Sequence, residues 1–460
     1  MPNNLDFIDD FFDMLTFKDQ ATRKARLSKI TKPVQQFIST EISSGIIVIT
    51  AVFFALLMAN SPLSHFYHDF VHLKINFSFG NFSILGDVHY WINDAAMVIF
   101  FFLVGIEIKR EVLGGELSDK KSIPIPIFGA IGGMVVPVLI FLLLVNEPNA
   151  RSGWAIPMAT DIAIALGAIA LLGKLIPSGL KVMLLAIAIV DDIGSILVIA
   201  IFYSETISVI SLMVVAILLG LMFLSNYVGI RSLVFYFSLG ILAWIFANNS
   251  GVHPTILGVI LGFMTPWKPW YAPISFPKIA DKLLQRFKSN LEDDTNNSHH
   301  QEYEQDLLTL STMASETVSP LQRIEKILLP WSAFLIVPIF AFVNAGIDLS
   351  DGAFSQSINS SLTLAIAVGL FVGKPLGIVM GVWIATKFGA RFPRGVNFSN
   401  IFGMGIIAGI GFTVALFITE LAYVDEIFLR DAKIGILIAS FFAAIFGNLV
   451  LKIVQSKKIK

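Results

Sequence analysis

The chain has 460 residues, 55% of them hydrophobic and only 14% charged, with a formal net charge of −1 and no cysteine. So few charges cannot cover a soluble domain of this length, and lipid must solvate much of the surface. A near-neutral chain offers no polyanion-binding surface, hence no nucleic-acid partner. The missing cysteines exclude disulfides, thiolate metal sites and cysteine nucleophiles.

Residues 1–33 are polar and read as an N-terminal tail. No cleavable signal is expected, because the first apolar run is too long for an h-region. From residue 34 onward the chain reads as one membrane domain. Lipid cannot hydrogen-bond a bare backbone, and the apolar runs are long and unalternating, so the spans must be helices rather than barrel strands. Roughly twelve are predicted. The first six are Val34–Ala59, Tyr90–Ile108, Ile123–Val145, Gly153–Leu172, Met183–Tyr203 and Ile207–Leu224. The second six are Leu233–Ala247, Gly251–Thr265 (short for a span), Ile327–Ala345, Leu362–Ala385, Ile401–Leu421 and Ile434–Val454. Two stretches fall outside the bilayer. Segment 63–87 alternates partly around Gly80-Asn81 and predicts an external β-hairpin. Segment 267–322, acidic and histidine-containing between Leu291 and Asp306, reads as a flexible, solvated cytoplasmic loop.

The basic residues set the orientation. With both termini in the cytoplasm, only Lys74, Arg151, Arg430 and Lys433 of the 32 Lys and Arg fall outside, and Lys374 alone falls within a span. In this topology the third to fifth helices and the tenth to twelfth are triplets that start from opposite sides, so they form inverted repeats. Each has an interrupted middle helix, at Pro157–Asp161 in one and Gly405–Thr413 in the other. Paired interruptions in inverted repeats point to a midplane binding site. A close-packing interface is the other reading of Gly409 and Gly411.

Asp161, Asp191, Asp192 and Lys374 lie inside predicted spans. Each costs ~2.5–3.5 kcal/mol at a helix centre, so the four together rival the whole ~5–15 kcal/mol stability of an ordinary domain. They must pair with one another, line an aqueous cavity, or both. Asp191 and Asp192, as helix neighbours, point ~100° apart, so one can face a partner such as Lys374 while the other faces a cavity. Carboxylate oxygens suit a hard alkali cation and also accept protons, one or the other at a time. Thr160 adds a hydroxyl beside Asp161, and an unwound segment adds carbonyls. A static ion-pair network is the competing reading. Glu107 and Glu325 lie near helix ends, where snorkelling or a surface ion pair with Arg323 and Lys326 would serve, and His253 opens the eighth helix.

The motifs NDAAMVIFFFLVGIEIKRE (93–111), WAIPMATDIAIALG (154–167), AIVDDIGSI (188–196), GVHPTILGVILGF (251–263), PIFAFVNAG (338–346), GKPLGI (373–378) and GIGFTVALFI (409–418) resemble, in family order, the NhaA family of sodium/proton antiporters. The resemblance runs from about residue 35 to the C-terminus. It implies an all-α polytopic membrane protein with inverted repeats and interrupted helices 4 and 11. It further implies pH-activated, electrogenic exchange of sodium or lithium for two protons, serving pH and sodium homeostasis. Asp191 and Asp192 match the family's paired aspartates, Asp192 being the principal cation and proton ligand. Thr160 and Asp161 match its Thr-Asp pair, and Lys374 its intramembrane lysine. Glu107, His253 and Glu325 match positions linked to the pH response, and Asp94 a polar position of the second helix. The resemblance implies a homodimer using the external hairpin, in the bacterial inner membrane, amid lipid, with no cofactor and no enzymatic activity. Leu329 departs from the histidine common before Pro330-Trp331, which bears on the pH threshold, and the loop before Arg323 is long.

Three other classes compete with this reading. Another sodium-coupled carrier of related architecture would need a roomier, less acidic site. An intramembrane aspartyl protease would need two aspartates from separate helices and a GxGD motif, which is absent. A passive channel would leak sodium without a proton gradient. No HExxH, GxSxG or P-loop sequence is present.

Overall fold

The computed structural model describes residues 41–79, 82–115, 123–204, 207–230, 233–269, 276–277, 279–283, 285, 300–350, 352–393 and 395–459. The predicted tail 1–33, the Gly80-Asn81 turn, and the orienting residues Lys120, Lys121, Arg231 and Arg394 lie outside the described residues.

Among the described residues, seven helices are long and apolar enough to cross a bilayer, three further pairs are bent at a short break, and two apolar helices are shorter. These are the twelve predicted segments in the predicted order. They are α1 (Glu41–Ala59), α2 (Val88–Gly114), α3 (Pro124–Leu144), α4 (Asn149–Met158 and Ile162–Ala170), α5 (Ser178–Phe202) and α6 (Val209–Val228). There follow α7 (Leu233–Asn248), α8 (Pro254–Met264), α9 (Pro320–Ala345), α10 (Ser361–Lys387), α11 (Phe398–Ala408 and Phe412–Ala422) and α12 (Glu426–Ile459). At 1.5 Å per residue α8 is only ~16 Å long, about half of a ~30 Å hydrocarbon core. It extends from His253, which caps it, towards Lys109 of α2. The Lys109 ammonium donates to the Phe263 and Thr265 carbonyls at 2.6 and 2.7 Å, meeting the orphan acceptors of its C-terminus.

Two predicted irregular regions contain helix. Residues Ser64–Val71, assigned from sequence to the external hairpin, form a helix turned 117° from α1. Tyr67 and Val71, one turn apart, face inward, and the Tyr67 hydroxyl approaches the Phe342 and Val343 carbonyls of α9. The hairpin itself is confined to β1 (Lys74–Phe79) and β2 (Phe82–Asp87), antiparallel in register from Lys74 opposite Asp87 to Phe79 opposite Phe82. Residues His300–Thr317, within the stretch read as a flexible loop, are also helical. Leu307, Leu310 and Met313 recur there at helical spacing, a signal that the polar composition hid.

Glycine sets the closest approach in the bundle. α3 and α10 pack so tightly that a Cβ on Gly132 would collide with the Gly377 carbonyl, and one on Gly381 with the Phe128 carbonyl. Small residues permit this contact, which in lipid takes the place of hydrophobic attraction between helices. The triplets α3–α5 and α10–α12 thus meet through their first members. Their broken middle members, α4 and α11, bend by 43° and 48°.

Candidate functional site

The two breaks have different local causes. In α4, Pro157 lacks an amide donor, a single tight turn over Ile156–Met158 follows, and Ala159 then goes extended (ψ 149°). In α11 there is no proline. Gly409 instead sits against the Leu370 carbonyl of α10, where a Cβ would collide. The close-packing and binding-site readings of these glycines therefore describe one feature: close packing allows the break.

The two linkers, extended in α4 and near-helical at Gly409 and Gly411 in α11, bond to each other. The Asp161 amide donates to the Ile410 carbonyl at 2.6 Å. Asp161 caps the second half of α4, its Oδ1 accepting from the Ile164 amide at 3.0 Å. Its Oδ2 accepts from the Thr413 amide and hydroxyl at 3.1 and 2.6 Å, at the start of the second half of α11. One buried carboxylate thus faces the N-terminal ends of two half-helices, where their partial positive charge favours an anion.

On the facing helices, Lys374 and Asp191 form a buried pair. The ammonium lies 2.5 Å from Asp191 Oδ2, with both side chains 1% exposed, and it also donates to the Met158 carbonyl, at the end of the first half of α4. Lys374 directly follows a widened, π-type turn over Gly369–Gly373, a distortion that often marks functional positions in helices. Thr160 Oγ1 lies 2.7 Å from Asp191 Oδ2 and 3.0 Å from the Ala408 carbonyl. A hydroxyl has one proton, so it can serve only one of these acceptors at a time.

Asp192 stands apart. It is 7% exposed, and its Oδ1 is buried without a hydrogen-bond partner. Asp191 Oδ1 and, one turn on from Asp192, Ser195 Oγ are in the same condition. The structure therefore joins Thr160, Asp191 and Lys374 in one network, holds the neighbouring Asp161 in a separate set of contacts with Ile164 and Thr413, and leaves three oxygens of α5 unmatched. Buried polar atoms are nearly always satisfied, so these three oxygens are unmet hydrogen-bonding capacity on α5, a condition that Glu420 Oε1 shares elsewhere among the described residues.

The three residues grouped by resemblance as a pH-responsive set are not together. Glu325 of α9 pairs with Arg110 of α2 rather than with its neighbours Arg323 and Lys326, and Arg110 also lies 3.3 Å from Glu111. Glu107 is one turn before them on α2. His253 sits at the other end of α2, 3.2 Å from Asp94 Oδ1, with Thr255 Oγ1 at 2.8 Å. Thirteen residues separate Asp94 from Glu107, or ~20 Å of helix. The sequence reading missed Thr413, Ser195 and the Met158 carbonyl. Thr413 lay in a quoted motif as a candidate breaker, and nothing local identified it as a partner of Asp161, 252 residues away.

A bundle of apolar helices in which two broken spans cross beside buried carboxylates and an ammonium defines a polytopic membrane protein of the ion-translocating transporter class. The chain belongs to the Na+/H+ antiporter 1 family, whose model matches residues 35–451. It is 40% identical to a protein of Syntrophotalea carbinolica named Na(+)/H(+) antiporter NhaA 2, over 94% of this chain and 99% of that one. It is 42% identical to a protein of Sorangium cellulosum with the same name (94% and 92% covered), and 42% identical to the Na(+)/H(+) antiporter NhaA of Wolinella succinogenes (91% and 92%).

Proposed function

We propose that this antiporter exchanges sodium ions for protons by letting the two compete for Asp192, with Asp191, Asp161 and Thr160 completing the cation's oxygen shell. The observation that carries the reading is the pair of buried, unpartnered oxygens, Asp191 Oδ1 and Asp192 Oδ1, on consecutive residues of α5. A dehydrated alkali cation needs several hard oxygens in place of its water. These two, the Thr160 hydroxyl, the Asp161 carboxylate and the carbonyls of the extended α4 linker are the oxygens at hand. A proton on Asp192 meets the same electrostatic need by neutralising the carboxylate. A site that reorients only when one or the other is bound must exchange them.

Lys374 has a second part in this scheme. While Asp191 is paired with the ammonium, its charge is compensated, and a cation arriving at Asp191 must replace that compensation. Proton release from Lys374, or exchange on Asp191, then supplies a second proton per sodium, which makes exchange electrogenic. Lithium, with the same hard-ligand preference, is the second substrate of this reading. Glu107, Glu325 and His253 tune the pH profile from the two ends of α2. The hairpin contributes to a homodimer, because an unpaired strand edge seeks a partner. The basic-residue bias supports cytoplasmic termini in a bacterial inner membrane.

Proteoliposomes test the core of the scheme. Sodium-driven proton movement should vanish in Asp192→Asn protein that still folds. Exchange surviving in that variant would displace Asp192 as the carrier.

A further inference from the structure

The second half of α11, Phe412–Ala422, carries a single charge, Glu420. Its Oε1 lies 2.7 Å from Lys433 Nζ on α12, and its Oε2 lies 3.3 Å from His89 Nε2 on α2. The carboxylate is 11% exposed, the lysine 14% and the imidazole 31%. The network continues inward. Asn93 Nδ2 lies 3.0 Å from the same His89 nitrogen, which either donates to Glu420 or accepts from Asn93 but not both, and the Asn93 and Asn344 amides donate to each other at 3.2 and 2.9 Å, joining α2 to α9. Glu420 therefore faces α12 through Lys433 and α2 through His89.

Burial alone does not account for this residue. The same half-helix already buries Leu416, Phe417, Ile418 and Thr419 at 0–1% exposure. An apolar side chain at position 420 would avoid desolvating a carboxylate, and buried ion pairs replaced by apolar groups often leave stability unchanged or higher. What an apolar residue would not supply is a carboxylate held between an ammonium on one helix and an imidazole on another.

That position matters because of what lies at the other end. Thr413, which donates both its amide and its hydroxyl to Asp161, is seven residues before Glu420: two turns, on the same face, ~10 Å away. The half-helix is a short rod held by a carboxylate at each end. A rod this short passes a displacement at Glu420 to Thr413, where the 2.6 Å hydroxyl contact tolerates only tenths of an ångström before it weakens.

We propose that Glu420 is a positioning residue for the cation site: through its contacts with Lys433 and His89 it sets the height and rotation of the second half of α11, and so the donors that Thr413 presents to Asp161. This rests on Asp161 belonging to the cation site.

The test measures apparent sodium KM and maximal exchange rate in proteoliposomes for wild type, Glu420→Gln, Glu420→Asp, Thr413→Val, Asp161→Asn and the double variant Glu420→Gln/Thr413→Val. Glu420→Gln should raise the sodium KM several-fold with a smaller change in maximal rate, and Glu420→Asp should recover part of the loss. Thr413→Val should raise KM as well, and the double variant should rise no further than Thr413→Val alone, because the effect of Glu420 passes through that residue. A Glu420→Gln protein with wild-type KM, or increases that multiply in the double variant, would overturn the proposal. If Asp161→Asn leaves KM unchanged, the assignment of Asp161 fails first. If Asp161→Asn raises KM and Glu420→Gln does not, only the positioning role fails. Should Glu420→Gln not assemble, Lys433→Met, alone and combined with Thr413→Val, is read by the same criteria.

Discussion

Lys374 Nζ lies 2.5 Å from Asp191 Oδ2 across the contact between α10 and α5, with both side chains 1% exposed. At this depth neither charge is tolerable without the other. Removing one partner of a buried pair typically costs ~3–5 kcal/mol, mostly the penalty of the charge left behind. Lys374→Ala should therefore lower the melting temperature in detergent markedly, and Lys374→Met/Asp191→Asn should recover much of the loss. A Lys374→Ala protein that melts like wild type would show that the pair does not hold the two charges.

The α3–α10 contact makes a packing prediction. Gly377→Ala would drive a methyl group into the Gly132 carbonyl. Overpacking of this kind costs ~1–3 kcal/mol, and here backbone rather than a flexible side chain must yield. Thermal melting should fall, while Gly220→Ala, at a glycine with open space around it, should melt like wild type.

Asp87 gives the junction between β2 and α2 a predictable acid sensitivity. Burial alone would raise its pKa. The Tyr90 amide at 2.8 Å, the His72 ring at 3.0 Å and the nearby charge of His89 outweigh burial and hold it below the usual carboxylate value. A depressed folded pKa stabilises above the unfolded value and is lost as pH falls through the folded one, so the contribution is complete above about pH 4 and fades below it. Hydrogen exchange of residues 74–90 should be slower in wild type than in Asp87→Asn at about pH 6, and the difference should shrink as pH falls below about 4. Equal exchange at the higher pH would remove Asp87 as the anchor.

Glu325→Gln breaks the Arg110–Glu325 link between α2 and α9 at the end of α2 remote from His253. It should move the activity-versus-pH curve and leave the maximal rate largely intact. Loss of exchange at every pH would place Glu325 in the transport path instead.

The twelve apolar helical segments and the two interruptions were legible because apolar length, Pro157 and the glycines of α11 are local features. The buried aspartates and Lys374 were legible for a similar reason: a charge inside a span is conspicuous against its neighbours. Their pairing was only half legible. Asp191 and Lys374 were natural partners, but that Asp161 would be engaged by Thr413 depends on how two broken helices cross, and no local pattern encodes a crossing. Glu420 was overlooked because it lies one residue from the end of the predicted span Ile401–Leu421, where a charge is far less conspicuous than Asp161 is at mid-span. Helix His300–Thr317 was missed because composition was weighed above periodicity.

The most direct test of the competition at Asp192 is the apparent sodium KM measured at fixed pH steps in proteoliposomes. If sodium and protons share that carboxylate, KM should rise as pH falls, with the maximal rate changing less over the range in which the protein is active. A sodium KM that stayed flat across those steps would contradict the shared site.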